Sequence, residues 1–460
     1  MRSVIKRLSS SPVVWSWVLN FLRLGTGLLL LPLLLHLPTK DFGLYWVLLG
    51  LQALVPLLDL GFLTSIERAV GYAMGGASEI KRQGLPDGAG TNSSPNFALL
   101  WKLLSVTRSL YRWLTLFVLI GLGVAGTYVI GLRVHETSAP TQAWTAWAIT
   151  LLACALEMYA GWWSVYLRAL NKVLLYSRIL VTAFLIKFVL SCLLLLGGAG
   201  LLAVPIASLV SSFVSRALAR KVVVAFLAEH PHPATGKDEV RATLRILWPN
   251  SWRTALHYLS GYLTSSANAF ICLVFLGLAV NAAYGLSLQI VLICQGMASV
   301  WVQVRWPLFA QLRAREDLAG LQQMFRNRLF LVHLTYAALA GLVLILHEPL
   351  LHWLKGGKAV LPSPWFPLLL LNGWLEMHYV LWGTLLTTEN RAPFMVPSLC
   401  TSLTSLLITI GLIHFSALGS GPLVVGPLVA GCAFNYWYWP RAAARSVKSS
   451  WFRLMVARAR

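Results

Sequence analysis

Read for runs of apolar residues, the chain divides into twelve segments separated by polar or charged gaps. They lie at 13–35, 43–63, 111–132, 142–167, 178–196, 201–227, 247–276, 282–304, 329–348, 364–387, 396–417 and 422–440. Each is about long enough to cross a hydrocarbon core of roughly 30 Å as a helix. The gaps alternate in character. Twenty-five of the 37 Lys and Arg residues fall in every second gap, chain ends included, and only Lys40, Arg133, Lys355 and Lys358 fall in the others. Basic residues mark connections that stay in the cytoplasm, so the pattern predicts twelve crossings with both termini inside. Of the eight basic residues within the span bounds, Arg112, Arg178, Arg216, Arg220 and Lys221 lie toward the ends that border a basic gap, and Arg23, Lys187 and Arg253 stand apart from such clusters.

Composition fits a polytopic membrane protein: mean hydropathy is +0.71, and only 11% of residues are charged. A net charge of +22 could point to nucleic acid. Here the basic residues are dispersed over short loops at span ends, which topology and attraction to anionic membrane lipids explain, and no nucleic-acid partner is expected. The first apolar run follows Arg2, Lys6 and Arg7 but carries Asn20 and Arg23 and has no clear cleavage site, so it reads as an uncleaved span. All six cysteines fall within spans without ligand spacing and read as small buried apolar residues.

Two spans share a motif. Leu156-Glu157-Met158-Tyr159 recurs as Leu375-Glu376-Met377-His378 at an offset of 219, and Phe42-Gly43-Leu44 corresponds to Tyr284-Gly285-Leu286 at an offset of 242. The difference matches a longer basic gap in the first half, 47 residues at 64–110 against 24 at 305–328. Six spans separate the copies, so they keep the same membrane orientation and form a parallel repeat. The fold expected is all-α: about twelve transmembrane helices in two parallel-repeat six-helix lobes around a central cleft. The lobes would be 1–230, with 64–110 as a long cytoplasmic loop, and 247–440. Residues 231–246 form a linker interrupted by Pro231, Pro233 and Gly236, and 441–460 a basic tail.

The first half resembles the Wzx-type polysaccharide-repeat-unit flippases of the multidrug/oligosaccharidyl-lipid/polysaccharide exporter superfamily. Pro32, Asp41-Phe42-Gly43-Leu44-Tyr45, Asp59-Leu60-Gly61-Phe62, Ser65-Ile66, Arg68 and Gly75-Gly76 carry the likeness. The resemblance implies a bacterial inner-membrane transporter that flips an undecaprenyl-pyrophosphate-linked oligosaccharide from the cytoplasmic to the periplasmic leaflet for surface polysaccharide synthesis. It needs no cofactor, and a polysaccharide polymerase is a candidate partner.

Ionisable groups inside spans are costly and usually face a cavity or a partner. At about 1.5 Å per residue, Arg23, Glu157, Lys187 and Glu376 fall near mid-membrane, with His257 similar and Asp59 and Arg253 nearer the cytoplasm. Polar stripes at helical spacing run through Ser16, Asn20, Arg23 and Gly27; through Thr150, Cys154, Glu157, Gly161 and Ser164; through Asn250, Arg253, His257, Gly261, Thr264 and Asn268; and through Asn372, Glu376, Tyr379 and Gly383. Stripes bearing arginine predict cleft-lining substrate contacts at Arg23, Asn20, Arg253 and His257, with Arg23 on the pyrophosphate. Glu376, Glu157, Lys187 and Asp59 are candidates for proton or sodium coupling, although Glu157 and Lys187 also fit a simple structural pair. His378 reads as a packed core histidine, and no histidine group has metal-ligand spacing. Two other functions fit the same layout: a multidrug or organic-cation exporter of the same superfamily, working through Glu157 and Glu376, and a membrane glycosyltransferase or polymerase. The short, acid-poor external loops count against the enzyme.

Overall fold

The computed structural model describes residues 15, 18–19, 22, 29–74, 76–80, 95–170, 172–229, 236–303, 305, 308–309, 312–313, 317–353, 358–388 and 394–456. Among them there is helix and no strand. The helices are α1 Thr39–Gln52, α2 Phe62–Met74, α3 Phe97–Gly131, α4 Pro140–Ala160, α5 Trp162–Ala169, α6 Val173–Leu196, α7 Ala203–Ala228 and α8 Lys237–Ser265. They continue as α9 Ala267–Leu276, α10 Leu278–Gln303, α11 Leu318–Trp353, α12 Trp365–Thr387, α13 Met395–Phe415, α14 Pro422–Ala433, α15 Asn435–Ser446 and α16 Trp451–Val456. Predicted spans two to twelve each contain helix, and residues 29–34 of the first are helical.

Nine helical segments among the described residues are long and apolar enough to cross a membrane. Their outward faces carry the apolar residues that a soluble protein would bury. On α3, Trp113, Phe117, Ile120, Val124 and Tyr128 form one exposed stripe at helical spacing, each more than half exposed. Hydrocarbon is the solvent that tolerates such a face. The chain is an all-α polytopic membrane protein. The third and ninth spans belong to helices of 35 and 36 residues, about 50 Å long and too long for the bilayer alone. Their N-terminal turns carry Lys102, Arg108 and Arg112 in one, Arg326 and Arg328 in the other, so matching positions of the repeat extend beyond the membrane in the same way.

The chain forms two compact units. One takes the sequence up to Leu37 and from Leu48 to Leu259; the other takes Pro38–Val47 and everything from Ser260. In the first, α7 packs on α4, α5 and α6, and α3 on α4. In the second, α10 packs on α11 and α12, α13 on α14, and α12 on α15. The membership of Pro38–Val47 has a local cause. A Cβ on Gly43 would lie 2.1 Å from the Leu278 carbonyl oxygen, and one on Gly285 would lie 2.3 Å from the Trp46 ring. Asn281 donates to the Gly43 carbonyl at 3.0 Å. The two glycines of the repeated motif are therefore the close-approach points of one contact inside the second unit.

Three expectations about connections are corrected. Most of the expected loop 64–110 is helical, because α2 buries Ser65, Ile66, Ala69, Val70 and Ala73 along one face. Such an amphipathic helix has no uniform apolar run to betray it. Asn96 closes the excursion: its side chain accepts from Leu99 N as the N-cap of α3 and donates to the Ala77 carbonyl, both at 3.0 Å. Residues 237–246 of the expected linker are the first turns of α8, and the border between units falls later in that helix, after Leu259. The expected tail is folded as far as Val456: Ala443, Ala444, Val447 and Leu454 are buried in the core of the second unit. Arg313 holds the end of α15 through the Ser446 carbonyl at 2.7 Å and the Ser446 hydroxyl at 2.9 Å. The cysteines are all unpaired, but Cys400 and Cys432 are exposed rather than buried.

Candidate functional site

A cavity of about 440 Å³ opens inside the first unit. The fourth-span stripe supplies Cys154, Glu157, Gly161 and Ser164 to its wall, α6 supplies Lys187, and α7 supplies Ser208, Ser211, Ser212, Ser215 and Arg216. Asp59, Tyr111 and Tyr258 also line it. Three of the four ionisable residues proposed for coupling from the sequence, Asp59, Glu157 and Lys187, thus share one space.

Their partners differ from the expected ones. Glu157 pairs with Arg216 rather than Lys187: Arg216 Nη2 lies 2.8 Å from Glu157 Oε1, and Arg216 Nη1 donates to Ser164 Oγ at 2.9 Å. The reason is the break between α4 and α5. Gly161 sits there 4.0 Å, measured from where its Cβ would be, from Arg216 Nη2, so the guanidinium can span the turn between Glu157 and Ser164. The arginine side chain is 12% exposed and the glutamate 48%, which leaves the carboxylate facing the cavity. Arg216 Nε is buried and has no hydrogen-bond partner among the described residues. Lys187 is half-buried, with no hydrogen bond or ion pair among those residues.

Asp59 is 5% exposed. Its Oδ1 accepts from the Tyr111 hydroxyl, and its Oδ2 accepts from Leu63 N at 2.9 Å, the second bond capping α2. A carboxylate satisfied on both oxygens is held in a fixed place. Arg168 makes a two-pronged contact with Glu67, with Nε donating to Oε1 at 2.5 Å, and so pins α2 to α5.

In the second unit the tenth-span stripe also faces a partner. The Tyr436 hydroxyl lies 2.8 Å from Asn372 Oδ1 and 3.2 Å from Glu376 Oε2. One proton serves two acceptors, and Glu376 has no cationic partner among the described residues. Tyr379 bonds Ser398. His378 is buried, with Nδ1 3.1 Å from His333 Nε2, and Trp374 Nε1 donates to His333 Nδ1 at 2.9 Å.

The remaining candidates are not described at side-chain level. Arg23 and Asn20 lie outside the described residues; Arg253 and His257 fall on α8, with side chains outside the description. Of the same stripe, Asn268 is buried and its amide approaches the Leu423 carbonyl at 3.4 Å, a packing contact. Among the described residues no group of three His, Cys, Asp or Glu could hold a metal.

The charged cavity residue that the sequence reading did not single out is Arg216. Its signal is the α7 face Ser208, Ser211, Ser215 and Arg216, at helical spacing.

No protein-family model and no curated protein sequence matches the chain. Solved structures do. An inward-facing multidrug resistance MATE family transporter of the MOP superfamily aligns with TM-score 0.58 and 12% identity, covering 95% of this chain and 99% of that one. The MATE multidrug transporter DinF-BH, in complex with rhodamine 6G, aligns with TM-score 0.56 and 13% identity, over 94% and 93%. An outward-facing MATE family transporter aligns with TM-score 0.53 and 14% identity, over 96% and 98%. The chain has the fold of these transporters.

Proposed function

We propose that this protein is an alternating-access exporter of amphipathic organic molecules, working as a multidrug or organic-cation exporter in a bacterial cytoplasmic membrane with both termini inside. The observation that carries the reading is the cavity of the first unit, where charged and hydroxyl-bearing side chains meet an apolar wall, in a fold shared end to end with transporters solved facing inward and outward. The Glu157 carboxylate, half exposed, is the group a cationic cargo or a coupling proton or sodium ion would compete for against Arg216. Release of Glu157 from Arg216 on binding would change the link between α4 and α7, giving cargo or ion a differential affinity for two arrangements. Asp59 and Glu376 serve the same coupling from fixed hydrogen-bonded positions.

A second reading keeps the lipid-linked oligosaccharide as cargo, flipped toward the periplasm and handed to a polymerase. Two features favour it: the motifs between Pro32 and Gly76, and two cations at the cavity, Lys187 and Arg216, with a free Nε–H on the latter. A guanidinium suits phosphate oxygen. Expression of the gene in cells lacking their own exporters separates the two. Lower cellular rhodamine 6G that returns to the control level with Glu157→Gln supports export. Unchanged dye content together with restored surface polysaccharide in a flippase-deficient strain supports the second reading.

A further inference from the structure

A second concavity, of about 500 Å³, lies on the outside of the first unit. Its walls are Phe62 at the start of α2, Leu110 of α3, and Leu244, Arg245, Trp248 and Pro249 of α8. All but Arg245 are apolar or aromatic. By the charge pattern of the chain, these positions sit at the cytoplasmic boundary of spans two, three and seven. Pro249 lies inside α8, where it cannot donate to the carbonyl of Arg245, the residue four positions earlier. Trp248 is 47% exposed and Trp252, one turn further, 41%. Exposed tryptophans at a span end are the residues that sit at headgroup level. Phe62 braces Trp248 at 5.8 Å between ring centroids. On the cytoplasmic side, Arg241 and Arg245 lie one turn apart on one face of α8, both exposed and without an ion pair among the described residues.

We propose that this groove is a binding site for an anionic phospholipid of the cytoplasmic leaflet. One acyl chain lies between Phe62, Leu110 and Leu244, and the phosphate rests on Arg245 and Arg241. Hydrocarbon alone supplies no preference in a bilayer, because every competing lipid offers the same chains. The selectivity therefore resides in the two guanidiniums, and the apolar walls fix where the headgroup must sit. Basic residues near an anionic leaflet contribute to such a preference individually.

The test uses the full chain in nanodiscs containing equal amounts of phosphatidylglycerol and phosphatidylcholine with identical acyl chains. A photoreactive benzoylphenylalanine in place of Leu110 reports the groove, and the same group in place of Ile120, exposed on α3, reports bulk lipid. Mass spectrometry of the adducts should show phosphatidylglycerol favoured at position 110 and no preference at 120. Arg245→Gln should lower the preference at 110 about fivefold, and Arg241→Gln/Arg245→Gln should abolish it. Arg245→Lys should retain most of it. Total adduct yield at 110 should persist in every variant, since the apolar walls remain. Equal labelling by the two lipids at 110 in the wild-type chain, a preference unchanged in the double variant, or displacement by soluble glycerol phosphate would each overturn the proposal.

Discussion

Replacing Arg216 by methionine removes the guanidinium while keeping most of the stem that packs on α4. It deletes an ion pair at 2.8 Å and a hydrogen bond to Ser164 at 2.9 Å. Breaking a fully buried pair costs about 3–5 kcal/mol, and an exposed one contributes about 0–1 kcal/mol. With Arg216 12% exposed and Glu157 48% exposed, the loss should fall between these limits, at about 2 kcal/mol. For a unit of this size that lowers the apparent Tm by about 4–8 °C. Most of the cost comes from the carboxylate left behind, so Arg216→Met/Glu157→Leu should recover about half of it or more. Transport should stay lost in both variants. Thermal unfolding of the purified protein in nanodiscs, run as a double-mutant cycle beside a rhodamine 6G transport assay, reads both quantities. A coupling energy below about 0.5 kcal/mol, or wild-type transport by the double variant, would refute the pair's role in structure and in transport respectively.

Other sites yield sharper contrasts. Glu376→Gln preserves an acceptor for Tyr436, so Tm should hold within about 1 °C while gradient-driven transport falls; Tyr436→Phe should do the reverse, losing about 1–2 kcal/mol. Gly43→Ala places a Cβ against the Leu278 carbonyl, and backbone cannot move aside as a side chain can, so the folded yield should collapse. Gly121→Ala, with nothing within 4 Å of the new Cβ, should be neutral or slightly stabilising in the same expression assay. Asp59→Asn keeps only one acceptor oxygen for Tyr111 and Leu63 N, and should cost about 1–3 kcal/mol by thermal unfolding.

The spans were legible because a crossing helix must be apolar over its whole length, a signal that survives without any knowledge of neighbours. Asp59, Glu157 and Lys187 were legible because a charge inside such a run is conspicuous. Arg216 was hidden by the rule that revealed the topology. It stands near Arg220 and Lys221 toward the basic end of the sixth span, where a positive cluster reads as a mark of topology and all three residues look alike. Helix packing separates them: α7 lies against α4, turning Arg216 toward Glu157 while Arg220 and Lys221 remain exposed. Glu157 and Lys187 do share the cavity, but the short ion pair goes to Arg216, because order along the chain does not say which neighbour in space comes within hydrogen-bond reach. Helix α2 and the folded segment 441–456 escaped because their apolar residues are spaced for one face and interrupted by arginines. The glycine motifs were read as marks of duplication, and they also pack against one another, a relation that no comparison of the two copies as strings can reveal.

The central claim, transport through the carboxylate-bearing lobes, is tested most directly in proteoliposomes holding the full chain, with a proton or sodium gradient imposed and rhodamine 6G followed across the membrane. The account predicts gradient-dependent movement that is lost with Glu157→Gln or Glu376→Gln in protein that remains folded. Dye moving no faster than in protein-free liposomes under either gradient would contradict it.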